Sequence, residues 1–502
     1  MKNFRVNSLM AIEQATKIRP VLNVSLPKDY SFNDNVESDA LEKIKMSSAR
    51  KFSFAVVKCG KNAIMSKFDM VDAYKNIPAP LDDLRLQGFQ WLSMFFVELR
   101  QIFGAKTAVA NFDILGNSIL SIVKNTCNIP SEFIHRTLDD VPFVAPVASV
   151  WPDVFVKCYV EICKRLNVIL ADNCPNLDKA FMKSTKGKVL GIMFDTENLS
   201  FCFPKEKKEK VLRLIFKCKA AEKISLKNFQ SLMGNLNDLS IMCPFMRVFK
   251  FPLFLCMKEC IDDFVTLSNI AKDDLNIWIR FLCDSNDYIP ICHEYVSPPI
   301  ACKYFTSDAA RCSSESNNSC GLGCGNVGFD HNGIIIFATQ LFWPEGILNT
   351  VRDMKSSSLG SKTTTLEFLG IILPFLIIPE QLANQNVIVK VDNTGCFFGW
   401  INRRAKGDIF ASLLIRALHL ISNYLCCIVH IEHLPRKSTW DALTTDRMSR
   451  NKTTTRHDRA LLNSFALPGI PVCLENWMSN PTEDWGLAYR LLVHVKKMHK
   501  MK

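Results

Sequence analysis

Residues 64–80 read IMSKFDMVDAYKNIPAP. Ile64 to Phe68 has the length and apolar content of a buried strand, and Pro78 and Pro80 break the run that follows. Asp69 closes the strand. Further on, residues 133–146 read FIHRTLDDVPFVAP, which predicts a strand, an acidic turn at Asp139-Asp140 and a second strand. A carboxylate pair in so apolar a setting is costly unless a cation or a metal faces it. Three carboxylates at strand ends can hold two divalent ions about 3.5–4 Å apart, an arrangement suited to phosphoryl transfer. Asp-Asp is also common in plain hairpin turns, so spacing alone leaves both readings open.

A second set of acids has a similar look. YFTSDAA puts Asp308 at the end of a strand, TTLEFLGI puts Glu367 on an otherwise apolar helix, VIVKVDNTG puts Asp392 directly after a buried strand, and TTDRMSR puts Asp446 at a helix start. One acid at an element end is ordinary. A glutamate on an apolar helix, facing a strand-end aspartate, is less so. Asp441 competes with Asp446 for the fourth place, and the DRMSR context favours Asp446.

The rest of the chain sets bounds. It has 502 residues, 48% hydrophobic and 22% charged, a globular composition long enough for about three domains. Lys+Arg total 61 and Asp+Glu 49, so the net charge is 61 − 49 = +12, which favours an anionic partner, most simply nucleic acid. The lysines and arginines of 205–219, 247–258, 403–406 and 436–450 can track a phosphate backbone, although each is also an ordinary solvated face. The twenty cysteines contain no C-x-x-C pair, which argues for reduced thiols and against zinc. The longest apolar stretch, Phe368–Ile378, contains Pro374 and is shorter than the roughly 20 residues a membrane helix needs. No secretory start is visible, so an intracellular location is expected, with cytoplasm and nucleus not distinguished. The patterning predicts extended segments over 1–60, helices over 107–128, 152–171, 205–219, 225–260, 363–378 and 407–424, an amphipathic helix around DDLNIWIRFL (273–282), short helical pieces with a basic end over the last fifty residues, and a hairpin over 188–204. Strands are predicted at 386–391 and 427–434, with β alternation over 301–340 around a Gly/Ser/Asn-rich turn at 313–325 and a Pro-containing linker at 289–300.

The residues around Asp69 resemble motif A of reverse transcriptases: KFDMVDAYKNIP has the Asp, three residues, Ala and an aromatic. KIRPVLNVSLPKDYSFNDNV is similar to the fingers segment before it, IFGAKTAVANF to motif B, and HRTLDDV to motif C. VLGIMFD with FCFPKEKKEKV resembles the following hairpin and basic helix, and SLMGNLNDLSIMCPFMRVF a thumb segment. All occur in the family's order over about residues 10–260. The resemblance implies an RNA-directed DNA polymerase in which Asp69, Asp139 and Asp140 hold Mg²⁺ (or Mn²⁺). It implies Tyr74 as the gate that favours dNTPs, Lys17 and Arg19 as triphosphate ligands, and Gly104 and Lys106 beside the template–dNTP pair. Three positions depart from the pattern: Thr137 replaces an aromatic, Val109 a proline, and Asn23 a common aspartate. The chain starts about 20 residues before the fingers segment, which leaves part of that segment missing or diverged.

The second set resembles the RNase H domain that follows the polymerase in retroelements, through Asp308, Glu367, Asp392 and Asp446 in order. This implies a second Mg²⁺ centre that cleaves RNA in an RNA–DNA hybrid. Asn393 shapes the turn there, and His433 lies where the family has a mobile basic loop. The expected fold class is α+β and α/β multidomain, a right-hand polymerase (fingers, palm, thumb) followed by an RNase H-like fold. The expected boundaries are 1–215 fingers and palm, 216–262 thumb, 263–300 connection, 301–452 RNase H-like domain and 453–502 C-terminal tail. Expected partners are an RNA template, a DNA primer, an RNA–DNA hybrid and dNTPs, with no membrane; the oligomeric state is not readable. The phrasing is nearest to retrotransposon proteins of the DIRS type, with Gypsy-like elements sharing most motifs. The alternatives are a decayed or domesticated copy that binds nucleic acid without catalysis, and a plain RNA-binding scaffold.

Overall fold

A computed structural model of the chain describes residues 4–14, 17–37, 44, 46–171, 180–284, 289–291, 302–310, 323–353, 359–406, 408–435, 438–450, 455–465, 472–479 and 487–500. They form a mixed α/β assembly of two compact units, one of residues 1–207 with 285–293 and the other of 208–284 with 294–502.

Among the described residues, the first unit contains three sheets. β1 (Val6–Gln14), β2 (Lys17–Asn23), β4 (Gly88–Trp91) and β5 (Met94–Val97) pair in the order β2-β1-β4-β5. β8 (Lys186–Val189), β9 (Ile192–Asp195), β10 (Ser200–Cys202) and β13 (Ile289–Pro290) pair as β13-β10-β9-β8, which includes the expected hairpin. The third sheet has β3 (Ile64–Asp69) between β6 (Asp140–Ala145) and β7 (Phe181–Ser184). Around it lie α1 (Ala49–Cys59), α2 (Lys106–Cys127) and α3 (Trp151–Arg165). Aromatics fill the core: Phe143 stacks on Phe155 at 4.3 Å and Phe68 on Tyr159 at 4.8 Å. The pattern over 1–60 missed α1, whose start is the Ser48 hydroxyl accepting from the Lys51 N–H.

In the second unit, β11 (Ile224–Ser225) pairs with β12 (Phe264–Val265), and α5 (Leu226–Met242), α6 (Phe251–Lys258) and α7 (Asn269–Asp284) gather beside them, after α4 (Lys205–Ala220), which begins at the boundary. The single helix expected over 225–260 is split at Cys243-Pro244, where proline supplies no N–H and residues 244–250 tighten to a 3-10 helix. The larger sheet combines β14 (Lys303–Ala309), β15 (Gly323–Phe329), β16 (Ile335–Phe342), β17 (Asn386–Val391) and β18 (Ile428–His433) in the order β16-β15-β14-β17-β18. β16-β15-β14 are antiparallel; β14-β17-β18 are parallel. The helices are α8 (Glu345–Asp353), α9 (Leu359–Ile377), α10 (Pro379–Leu382), α11 (Thr394–Asn402), α12 (Ile409–Tyr424), α13 (Trp440–Ser449), α14 (Arg456–Phe465), α15 (Val472–Ser479) and α16 (Leu487–Lys500).

Several expectations change. The stretch 453–502 is not a tail: Leu487, Ala488, Leu491 and Val495 of α16 are buried in the same core as α9 and α12, because its apolar positions fall on one face. The connection 263–300 does hold the amphipathic helix expected around DDLNIWIRFL, the sixteen-residue α7, docked through a fully buried ion pair between Asp274 and Arg416 of α12. Pro374 sits inside α9 without ending it. The linker beyond residue 291 and the turn up to residue 322 lie outside the described residues. The described cysteine side chains are free thiols, and no described helix is long and apolar enough to cross a membrane.

Candidate active sites

In the first unit, β3 and β6 are antiparallel with Asp69 directly opposite Asp140. The predicted strand before the acids does not form. Residues 131–133 make a 3-10 turn after Pro130, and only isolated bridges at Ile134 and Thr137 remain. Thr137 and Asp140 exchange backbone hydrogen bonds of 2.9 and 3.1 Å, which leaves Leu138 (φ 54°) and Asp139 at the tip of a tight turn. Two side chains hold that turn. Arg136 donates to the Leu138 carbonyl (3.2 Å) and pairs with Asp113 of α2. Its guanidinium lies over Gly116, where any Cβ would come within 2.4 Å of it. Thr137, the departure from the aromatic pattern, donates from its hydroxyl to the Ser47 carbonyl (2.8 Å).

Lys67, buried on β3, puts its Nζ 3.2 Å from Asp140. Burial still pushes the Asp140 carboxyl up, Lys67 opposes this, and Asp139 adds to it. Tyr74 is 9% exposed and packs edge-on against Phe112 and Phe103. Burial raises its hydroxyl pKa, and the Asp139 carboxylate raises it further. Gly104 has φ +97°, which favours glycine. The buried Asn33 side chain clamps this loop, donating to the Gly104 carbonyl (2.9 Å) and accepting from the Lys106 N–H (2.9 Å) at the start of α2. The Lys106 side chain is exposed. Lys17 and Arg19 lie on β2 opposite Gln14 and Ile12, and their side chains are outside the described part.

In the second unit, β14 and β17 run parallel, so Asp308 and Asp392 meet at the same sheet end. Glu367 reaches them from α9, a helix buried on nearly every side. Carboxylate oxygens of Asp308, Glu367 and Asp392 lie within 4.8 Å of one another, the one such trio among the described residues; Asp69, Asp139 and Asp140 do not form one. Two glycines permit the approach. A Cβ on Gly370 of α9 would sit 2.9 Å from the Ser307 hydroxyl, and one on Gly325 of β15 would sit 2.7 Å from the Thr445 carbonyl oxygen of α13. Ser449, at the end of α13, donates to Asp308 at 2.5 Å. The Asp308 carboxyl is pushed up to about 6, mainly by burial; Asp392 and Asp446 add to this, and the Ser449 hydrogen bond opposes it.

Asp446 is not at a helix start. Thr439 caps α13, and Asp446 lies within it, where it pairs with Arg450 at 2.8 Å and lines a small recess with Asp308 and Asp392. Asp441 occupies the first turn and accepts from the Thr306 hydroxyl. Asn393 caps α11, accepting from the Cys396 N–H at 3.2 Å. His433 ends β18, opposite Val391. A cleft of about 780 Å³ opens onto Glu367 and Asp392, with Arg404 and Lys406 at its rim. Buried oxygen donors drawn together in this way suit a hard divalent cation. Sequence reasoning missed Lys67, Arg136, Asn33, Ser449 and Arg450. Ser449 and Arg450 had a visible signal, as the last two residues of the DRMSR context, three and four residues after Asp446 on one helix face.

No protein-family model matches the chain, and no curated protein matches it. Among solved structures it is similar to a dRH form of a foamy viral protease-reverse transcriptase in complex with double-stranded DNA, at 13% identity and TM-score 0.45 over 86% of this chain and 66% of that one. The same protein with an RNA/DNA hybrid gives 13% identity and TM-score 0.44 over 87% and 51%, and with double-stranded DNA 15% and 0.44 over 77% and 69%. The chain thus spans about half to two thirds of those chains.

Proposed function

We propose that this chain is an RNA-directed DNA polymerase of retroelement type that carries a second, hybrid-cleaving ribonuclease centre. The observation that carries the reading is the convergence of Asp308, Glu367 and Asp392 from two strands and a helix. It is joined by the ordered polymerase motifs of residues 10–260 and by Asp69 facing Asp140 across β3 and β6.

At the ribonuclease centre, Asp308, Glu367 and Asp392 would hold Mg²⁺, with Asp446 alongside. When bound, the metal supplies charge neutralisation at the phosphate and a more acidic water. The chain's own groups do the rest. Ser449 fixes one Asp308 oxygen, Arg450 holds Asp446, and Arg404 and Lys406 draw a phosphate backbone to the cleft. At the polymerase centre, Asp69, Asp139 and Asp140 would hold Mg²⁺, Tyr74 would bear on the sugar of the incoming dNTP, and Gly104 and Lys106 would lie along the template. Lys17 and Arg19 would take the triphosphate.

Primer extension on poly(rA)/oligo(dT) and cleavage of an RNA–DNA hybrid, both with Mg²⁺, test the reading. Asp139→Asn should abolish extension and leave cleavage, and Asp392→Asn the reverse. Loss of both activities in both variants would overturn the two-centre scheme. A second reading keeps only the nuclease: Lys67 engages Asp140, and the three polymerase acids form no tight trio. It predicts hybrid cleavage with no extension by the wild type.

A further inference from the structure

A second polar cavity of the same unit, of about 310 Å³, has a lining unlike that of the acidic cleft. It is bounded by α5, the 244–254 segment and the end of α11. Its charged lining residues are Arg247, Lys250 and Arg404, and no carboxylate lines it among the described residues. Lys250 is only 6% exposed. Its ammonium donates to two neutral oxygens, the Asn237 side-chain carbonyl and the Ser240 hydroxyl, the latter at 2.8 Å. The Arg404 guanidinium lies over the Phe254 ring, 5.5 Å from its centroid.

A buried ammonium is normally matched by an anion, because neutral dipoles return only part of its lost hydration. Here burial and then the neighbouring charges of Arg247 and Arg404 push the Lys250 pKa down to about 7. Three basic side chains lining one cavity, with the Asn237 and Asn402 amides beside them, match the donor set that recognises a phosphate group. We propose that this cavity is a phosphate-binding site, centred on Lys250 and closed by Arg247 and Arg404. No acid of the nuclease trio lines it, although Asn402 and Arg404 border both this cavity and the acidic cleft, and it stands whether or not the acids bind metal. The phosphate can come from a nucleic-acid backbone or from a small phosphorylated molecule.

The test uses the full chain in EDTA, so that metal sites do not contribute. Pyrophosphate binding is followed by calorimetry, and RNA–DNA hybrid binding by fluorescence anisotropy as a function of salt. Lys250→Met and Arg247→Gln, both at residues that line this cavity and not the acidic cleft, are compared with the wild type, with thermal unfolding as the check on folding. Arg247 is only half-buried, so Arg247→Gln keeps the test informative if Lys250→Met does not fold. Loss of a charge-assisted bond should weaken pyrophosphate binding about tenfold or more in each folded variant if the ligand is small. If the source is a backbone, pyrophosphate does not bind, hybrid affinity falls, and the salt slope drops by about one. Unchanged affinity for both ligands in a folded variant overturns the proposal.

Discussion

Replacing Asp308 by asparagine should stabilise the metal-free protein. The carboxyl is 6% exposed and is held at about 6 in the fold, against 3.8 for a free aspartate. A folded-state pKa above the unfolded one means that ionisation opposes folding. The penalty is absent below pH about 4, where both states are protonated, grows between 4 and 6, and is complete above 6. At 1.36 kcal/mol per pH unit, the gap between 3.8 and about 6 is worth about 3 kcal/mol at neutral pH. Asparagine keeps an oxygen for the Ser449 hydroxyl and removes the charge that Asp392 and Asp446 repel. Denaturant unfolding of wild type and Asp308→Asn at pH 7.5, in EDTA and in Mg²⁺, measures the effect. The variant should be more stable by about 3 kcal/mol in EDTA, and Mg²⁺ should stabilise the wild type and hardly move the variant. A variant less stable than wild type in EDTA, or equal Mg²⁺ shifts in both, would refute the reasoning.

Other outcomes follow from the same structure. Asp274→Ala leaves Arg416 buried without its carboxylate and should cost about 3–5 kcal/mol in an unfolding titration; the double change Asp274→Leu with Arg416→Met should recover most of it. Gly370→Ala meets the Ser307 hydroxyl at 2.9 Å and should push Glu367 off its partners, cutting hybrid cleavage about tenfold while hybrid binding is kept. Because Asp308 takes a proton below about 6, Mg²⁺ must displace it there: titration calorimetry should show Mg²⁺ affinity falling with proton release as pH drops from 7 towards 5.

Sequence patterning located β3, α9 and β17, which carry or lead into Asp69, Glu367 and Asp392. β17 is predicted at 386–391 and found there, and α2, α4 and α12 begin and end within two residues of expectation. These segments bury one face or all faces, so their apolar period is strong. The misses lie where local pattern is weak. α1 has mixed polarity and is set by a cap, the strand before Asp139 is dissolved by side chains reaching α2 and Ser47, and the docking of α16 on the core is hidden by its basic residues.

What the sequence determined by itself is the set of acids and their order, because a charged residue at the end of an apolar run is visible without any partner. It could not say which acids meet. That was decided by tertiary packing: Gly370 and Gly325 let α9 and α13 close on β14, and Asp308, Glu367 and Asp392 converge while Asp446 turns to Arg450. The Lys67 partner of Asp140 and the basic cavity around Lys250 depend on residues far apart in the chain, and their meaning lies in burial, which only the folded structure supplies.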